Sequence, residues 1–212
     1  MLLSVLYSVL SVSVAAHVGT ATYTNGPDSW AKCSLPEGSF GRWASVGPAI
    51  YGGSQICGAC IKVTNKDNNE TTLAHVIDQC ISCGPDDIVL NLSAFGTIGH
   101  PNLGRLSVEW EVIRCPAVLG NITYVWQKGS NKWYSAFQIR NHAEAIATVE
   151  YSASLAGPWV KFNRRDDNYF ISSGLLEKPA FVKVTSISGK TVIDKDFAPM
   201  ENAGMMTGSG QL

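Results

Sequence analysis

Asp78 closes the apolar run Ala74-His-Val-Ile77 and leads straight into Cys80-Ile-Ser-Cys83. A carboxylate at the end of a strand is held by scaffold yet open to solvent, which is where substrate chemistry tends to be placed. Asp also favours turns for its local hydrogen bonds, so on these residues alone a turn cap explains it equally well. A second chemistry is offered by Cys57-x-x-Cys60 followed by Cys80-x-x-Cys83, the spacing of a zinc ribbon. A third lies in Gly19-Thr-Ala-Thr-Tyr-Thr24, where alternation puts Thr20, Thr22 and Thr24 on one face. Such a row of hydroxyls can bind sugar hydroxyls, although Thr also simply favours an edge strand.

The elements that must position these groups are short and β-prone. Ala74, Val76 and Ile77 read as a buried strand, with Thr71 to Ile77 following a polar hairpin tip at Asn65-Lys-Asp-Asn-Asn69. Further strands are expected at Gly19–Thr24, from Gly58 to Val63, from Asp87 to Leu92 and, in the cleanest alternation, at Leu106–Ile113, with a short helix from Ser93 to Ile98. Residues 25 to 53 are rich in Gly, Pro and Ser around Trp30, Phe40, Trp43 and Tyr51 and read as long loops. After Pro116 come seven short β segments, 121–127, 133–141, 147–152, 159–163, 169–172, 180–186 and 191–195, a spacing that suggests a sandwich.

All six cysteines, Cys33, Cys57, Cys60, Cys80, Cys83 and Cys115, precede Pro116, so two domains with different means of stabilisation are expected. Residues 1–16 form an uncharged apolar run ending in Val14-Ala-Ala16, which resembles a secretory signal lacking the usual positive residue. It is short of the ~20 residues of a membrane helix. The division is therefore 1–16 signal peptide, 17–116 first domain, 117–200 second domain and 201–212 a flexible Gly- and Ser-rich tail. A secretory route, two cysteines beyond the paired motifs and no His at ligand spacing all oppose zinc and favour disulfides. Spacing does not settle which cysteines pair. With 16 basic and 17 acidic residues scattered along 212, nothing advertises a nucleic acid or an anionic membrane, and a neutral ligand fits better.

Together these residues resemble the expansin family from about Gly19 to Phe197. The first half carries Ala21-Thr-Tyr-Thr24, Cys57-Gly-Ala-Cys60, Val76-Ile-Asp-Gln-Cys80, Asn91-Leu-Ser-Ala-Phe95 and Trp110-Glu-Val-Ile-Arg-Cys115. It is similar to the double-psi β-barrel shared by expansins, barwin-type proteins and family-45 endoglucanases. The second half carries Gly120-Asn-Ile-Thr-Tyr124 and Lys128-Gly-Ser-Asn-Lys-Trp-Tyr-Ser-Ala-Phe-Gln-Ile-Arg-Asn-His142, as in the expansin cellulose-binding module. No single barrel motif is decisive, but the two halves in this order are highly specific. The resemblance implies an all-β fold, a six-stranded double-psi β-barrel followed by an immunoglobulin-like β-sandwich.

It also implies roles. Thr22 and Thr24 fall where the family has groove hydroxyls, and Asp78 where it has a groove carboxylate. The remaining key acid is replaced by Asn91, and an amide cannot donate a proton near neutral pH. Glycoside hydrolysis ordinarily needs two carboxyl groups, and expansins are described as lacking the base of the related endoglucanases. The expected protein is therefore non-hydrolytic: a secreted, monomeric cell-wall protein that binds cellulose and matrix glucans and loosens their non-covalent contacts, with no metal or organic cofactor. The alternatives are a weak endo-β-1,4-glucanase, for which Asp86 or Asp87 would have to substitute, and a purely structural cellulose-binding protein. Trp133 and Tyr134 match two of the family's cellulose-stacking aromatics. The third position is Asp167, with Tyr169 two places later, and the family's basic residue aligns with Gln127, for which Lys128 or Lys132 could stand in. Adjacent strand residues face opposite ways, so Trp133 and Tyr134 are both exposed only if the strand begins there or is bulged. The family pattern pairs Cys33 with Cys57 and Cys60 with Cys115, leaving Cys80 with Cys83. Asn69, Asn91 and Asn121 are glycosylation acceptors by pattern, with Asn91 expected to be unoccupied if the groove works.

Overall fold

Inward Ala21 and Tyr23 alternate with outward threonines along β1 (His17–Thr24), and the same rule builds the strands that close on it. The computed structural model describes residues 16–26, 31–172, 180–200 and 203–212. All but the last residue of the expected signal segment, and Trp30, lie outside them. β2 (Trp43–Val46), β3 (Cys60–Asn65), β4 (Thr71–Gln79), β5 (Ile88–Asn91) and β6 (Leu106–Ile113) join β1 in a closed barrel of order β1-β5-β2-β4-β3-β6. Two neighbouring pairs, β1 with β5 and β2 with β4, run parallel and the others antiparallel. A barrel of six strands is narrow enough for side chains to fill. Val46, Ile61, Val63, Val76, Leu90, Val108 and Trp110 do so. Helix α1 (Pro48–Tyr51) and helix α2 (Leu92–Ile98) lie outside the strands, and α2 lays Ala94, Phe95 and Ile98 against the barrel core.

β2 and α1 lie in the stretch expected to be loop. All four residues of β2 are buried, so it has no alternation to announce it. Disulfides Cys33–Cys57 and Cys60–Cys115 tie this loop-rich half together, and Cys80–Cys83 closes a small ring after β4. On the chain-entropy account the two longer closures stabilise by roughly 3 to 4 kcal/mol each.

The second half is a sandwich. β7 (Thr123–Trp126), β8 (Ser135–Arg140), β9 (Ile146–Ser152), β10 (Val160–Lys161), β11 (Asn163–Arg164), β12 (Phe170–Ser172), β13 (Ala180–Ser186), β14 (Thr191–Phe197) and β15 (Met205–Thr207) form sheets β10-β9-β13-β14 and β11-β12-β8-β7-β15. Between them the aromatic core of Tyr124, Trp126, Phe137, Phe162, Phe170 and Phe197 packs largely edge-on or tilted, with Phe137 and Phe197 centroids 5.0 Å apart.

The expected flexible tail is corrected. From Ala203 the chain is folded: β15 pairs with β7, and Leu212 is fully buried in the sandwich core. Gly208 is small because the chain there passes close to Ile122 and Asp194. A Cβ on Gly208 would lie 2.8 Å from Ile122 and 2.9 Å from Asp194.

Barrel and sandwich meet through polar contacts between distant residues. The outward face of β8 turns to the barrel, where buried Gln138 donates Nε2 to the carbonyls of Cys33 and Ser34 at 3.0 and 3.1 Å. Tyr51 donates its hydroxyl to the Asp166 carbonyl and Ser54 to that of Arg165. Gly58, with φ +77°, leaves room for His142: a Cβ there would sit 2.8 Å from the imidazole Nε2. No helix among the described residues is long and apolar enough to cross a membrane.

Candidate functional site

The barrel register sets two outward rows across adjacent strands. Thr22 on β1 lies opposite Val89 on β5, Val89 opposite Ser45 on β2, and Ser45 opposite Asp78 on β4. Three strand spacings separate the ends of this row, so Thr22 and Asp78 span at most roughly 14 Å of curved surface. One step along, Thr24 lies opposite Asn91. The row depends on an irregularity: Ala44 pairs with Val76 but Ser45 with Asp78, so Ile77 is the extra residue. With Ala74 and Val76 pointing inward, strict alternation would also turn Asp78 inward. The extra residue returns it to the outer face, as bulges beside functional sites commonly do.

Asp78 is half-buried and accepts hydrogen bonds from the Lys32 backbone N–H at 2.7 Å and the Ser45 hydroxyl at 3.4 Å. Asn91 is engaged on both sides. Its Oδ1 accepts from the backbone N–H groups of Ala94 and Trp43, capping α2 and steering β2, while its Nδ2 donates to the Gly41 carbonyl. The two neighbouring acids serve elsewhere. Asp86 pairs with His17 at 2.7 Å. Asp87 takes both the backbone N–H and the hydroxyl of Thr20 on Oδ1 at 2.8 Å. Those two bonds hold the Asp87 carboxyl below the ordinary carboxylate range, the wrong direction for a proton donor at neutral pH.

On the sandwich, Trp133 and Tyr134 precede β8 rather than lying within it, and both are exposed, at 62% and 40%. Asn131 makes this possible, because its Oδ1 accepts from the backbone N–H of both residues and folds the turn that presents them. Lys132 places its ammonium 5.2 Å from the Trp133 ring centre. Tyr169 is half-buried, and Arg165 joins it to Tyr134: the guanidinium lies 5.3 Å from the Tyr169 ring and donates to the Tyr134 hydroxyl. Asp167 grips Arg165 through both oxygens. Burial works against the Asp167 charge, yet this pairing keeps its carboxyl below its ordinary value.

Barrel and sandwich groups are linked by Lys32, whose ammonium reaches Gln79 at 2.6 Å and Asp166 at 2.9 Å while its N–H holds Asp78. Sequence reasoning missed Lys32, Asn131 and Arg165. Only the charged run Asn163-Arg-Arg-Asp-Asp-Asn168 hinted at the last.

Of the glycosylation acceptors, Asn69 stands exposed at a hairpin tip with φ +61°. Asn121 donates its amide to the Gly208 carbonyl at 2.8 Å and Asn91 to that of Gly41, so a glycan on either would compete with a bond of the fold. Among the described residues, Cys60, His75 and Cys115 bring their ligand atoms within 4.8 Å of one another, but the two sulfurs are bonded to each other and offer no thiolate pair.

A profile of the Barwin family matches residues 16–115. Over 183 residues the chain is 31% identical to Expansin-YoaJ of Bacillus subtilis (strain 168), covering 84% of this chain and 77% of that protein. The crystal structure of the apo Clavibacter michiganensis expansin superposes with a TM-score of 0.80 at 25% identity, covering 93% of this chain and 98% of that one. The same values hold for an aspartate-to-asparagine mutant of that expansin in complex with cellohexaose.

Proposed function

The chain belongs to the expansin family, and we propose that it is secreted to a cell wall, binds cellulose there and loosens contacts between wall polysaccharides without cutting them. The observation that carries this reading is the outward face of the barrel, where Thr22, Thr24, Asp78 and Asn91 offer hydrogen bonds without the pair of carboxyl groups that hydrolysis needs. The cellohexaose complex of the Clavibacter expansin, held by a protein with one aspartate exchanged for asparagine, supports a glucan as ligand.

Trp133 and Tyr134 dock on a glucan surface, and Tyr169, oriented by Arg165, completes the platform. The barrel face then competes for hydroxyls that hold one glucan against another. Each exchange is small, because a hydrogen bond in water contributes a net ~1 kcal/mol, so several weak substitutes can displace a chain without covalent chemistry. The barrel of 17–116 and the sandwich that follows divide these tasks. The protein acts as a monomer, and the three disulfides suit an oxidising compartment.

The test pairs wall extension with reducing-sugar release on one preparation. The protein is expected to extend walls and release no sugar, and Asp78→Ala to abolish extension while cellulose adsorption stays. Sugar release that tracks Asp78 or Asp87 would establish the weak endo-β-1,4-glucanase instead. Extension unaffected by Asp78→Ala would rule out the groove as the loosening element, and adsorption without extension would leave a structural cellulose-binding protein.

A further inference from the structure

Away from both of those surfaces, two adjoining hollows of about 340 and about 250 Å³ open where the barrel, the 35–42 loop and the 115–118 connection to the sandwich meet. They share His75, Ala117 and Val118, and none of the groove or platform residues lines either. The larger is within the size range of small-molecule sites. Its walls divide by chemistry. Phe40, stacked on His75 at 4.1 Å, gives an apolar face together with Leu35 and Val118. Arg140 and Arg42 supply positive charge, one to each hollow, and no Asp or Glu lines either.

The cations are available. Arg140 directs Nε and Nη2 to the Gln138 side-chain oxygen, leaving Nη1 with no partner among the described residues, and the exposed Arg42 guanidinium has none there either. The histidines add no charge, since burial holds both imidazoles below their ordinary values.

We propose that this junction cleft binds a small ring compound carrying one carboxylate, a sugar acid or an aromatic acid, with the ring against Phe40 and the carboxylate on Arg42 and Arg140. A carboxylate pairs with guanidinium through short charge-assisted bonds, and a ring of either class covers the apolar wall. A neutral sugar would leave the half-buried Arg140 charge unanswered.

The site is tested by NMR titration of the intact protein, following the imidazoles of His75 and His142. Galacturonate and benzoate are the probes, with galactose, benzyl alcohol and acetate as controls. Saturable shifts with at least one of the two acids are expected, and the tighter of them identifies the source chemistry. Arg42→Gln should weaken that binding about tenfold, the loss of one charge-assisted contact. Ala117→Trp, which adds bulk on an exposed wall residue, should abolish it, with cellulose adsorption and thermal midpoint unchanged in both variants. Equal shifts with the neutral compounds or with acetate, no saturation with either acid, or undiminished binding in Ala117→Trp would overturn the proposal.

Discussion

An amide and a carboxylate share a shape, but only the amide can donate a hydrogen bond to a neighbouring carbonyl. Asn91 uses that difference. Its Oδ1 accepts two backbone N–H groups, as Asp could, and its Nδ2 donates to Gly41, 50 residues away, as Asp could not. Asn91 is thus a three-way tether between the 41–43 backbone, β5 and α2. Asn91→Asp should keep the helix cap, gain slightly from the α2 dipole and set a carboxylate against the Gly41 carbonyl, for a net loss of about 1 kcal/mol. Asn91→Ala, which also removes the cap and the Trp43 contact, should lose about 2 kcal/mol. Urea midpoints rank the three proteins, and a stability of Asn91→Asp equal to wild type would show that the Gly41 bond contributes no more than the small dipole gain. The sequence displayed the amide. It could not display the tether, which depends on a loop far away along the chain.

Elements were legible where alternation is regular and hidden where it is not. β1, β4 and β6 can be read from period-two patterns, and the seven expected segments of the second half match observed strands, with 159–163 divided into β10 and β11. β2 is buried on both faces and set among glycines and prolines, so its pattern is that of any short apolar run. The extra residue at Ile77 leaves no mark in composition, yet it decides which way Asp78 faces. β15 was missed for the opposite reason: Gly- and Ser-rich composition reads as loop, whereas here Gly208 lets the chain pass against Asp194 and Ile122. Asp194 is buried and takes the Tyr124 hydroxyl at 2.7 Å and the Ser209 N–H at 2.6 Å. Deleting 203–212 would strip β7 of one of its two partners, expose the Leu212 site and leave Asp194 half-satisfied. Leu212 burial alone stabilises by roughly 2 kcal/mol. The truncated protein should unfold with a loss of at least about 3 kcal/mol and aggregate through the bared β7 edge, which urea unfolding and light scattering would register. Unchanged unfolding would mean that the tail only rests on the surface.

At the scale of the whole molecule, the two halves are fixed by groups that sequence reading assigned no role, and the most sensitive of them is His142. Its ring lies against the Gly58 backbone and its Nδ1–H donates to the Glu144 carbonyl at 2.9 Å. Burial first, then the nearby Arg164 guanidinium and His75, push its pKa down from 6.5 to about 4. Arg164 is itself held in place by the Ile146 carbonyl and Asn168, so the positive charge facing His142 does not move aside. The neighbouring Glu144 carboxylate is engaged with Arg114 and Ser188. A depressed histidine pKa means that the unfolded chain binds the proton first as pH falls. Stability is therefore complete above about 6.5, declines as pH falls toward about 4, and loses no more below that from this group. For a fully buried group the full decline is on the order of 3 kcal/mol. His142→Asn keeps a donor for Glu144 and removes the titration. It should start less stable at neutral pH, because of the space left beside Gly58, yet lose distinctly less between about pH 7 and about pH 4 than the wild type does. Thermal midpoints of both proteins across that window decide it. Parallel curves would assign the acid sensitivity to the carboxylates and leave the junction indifferent to pH.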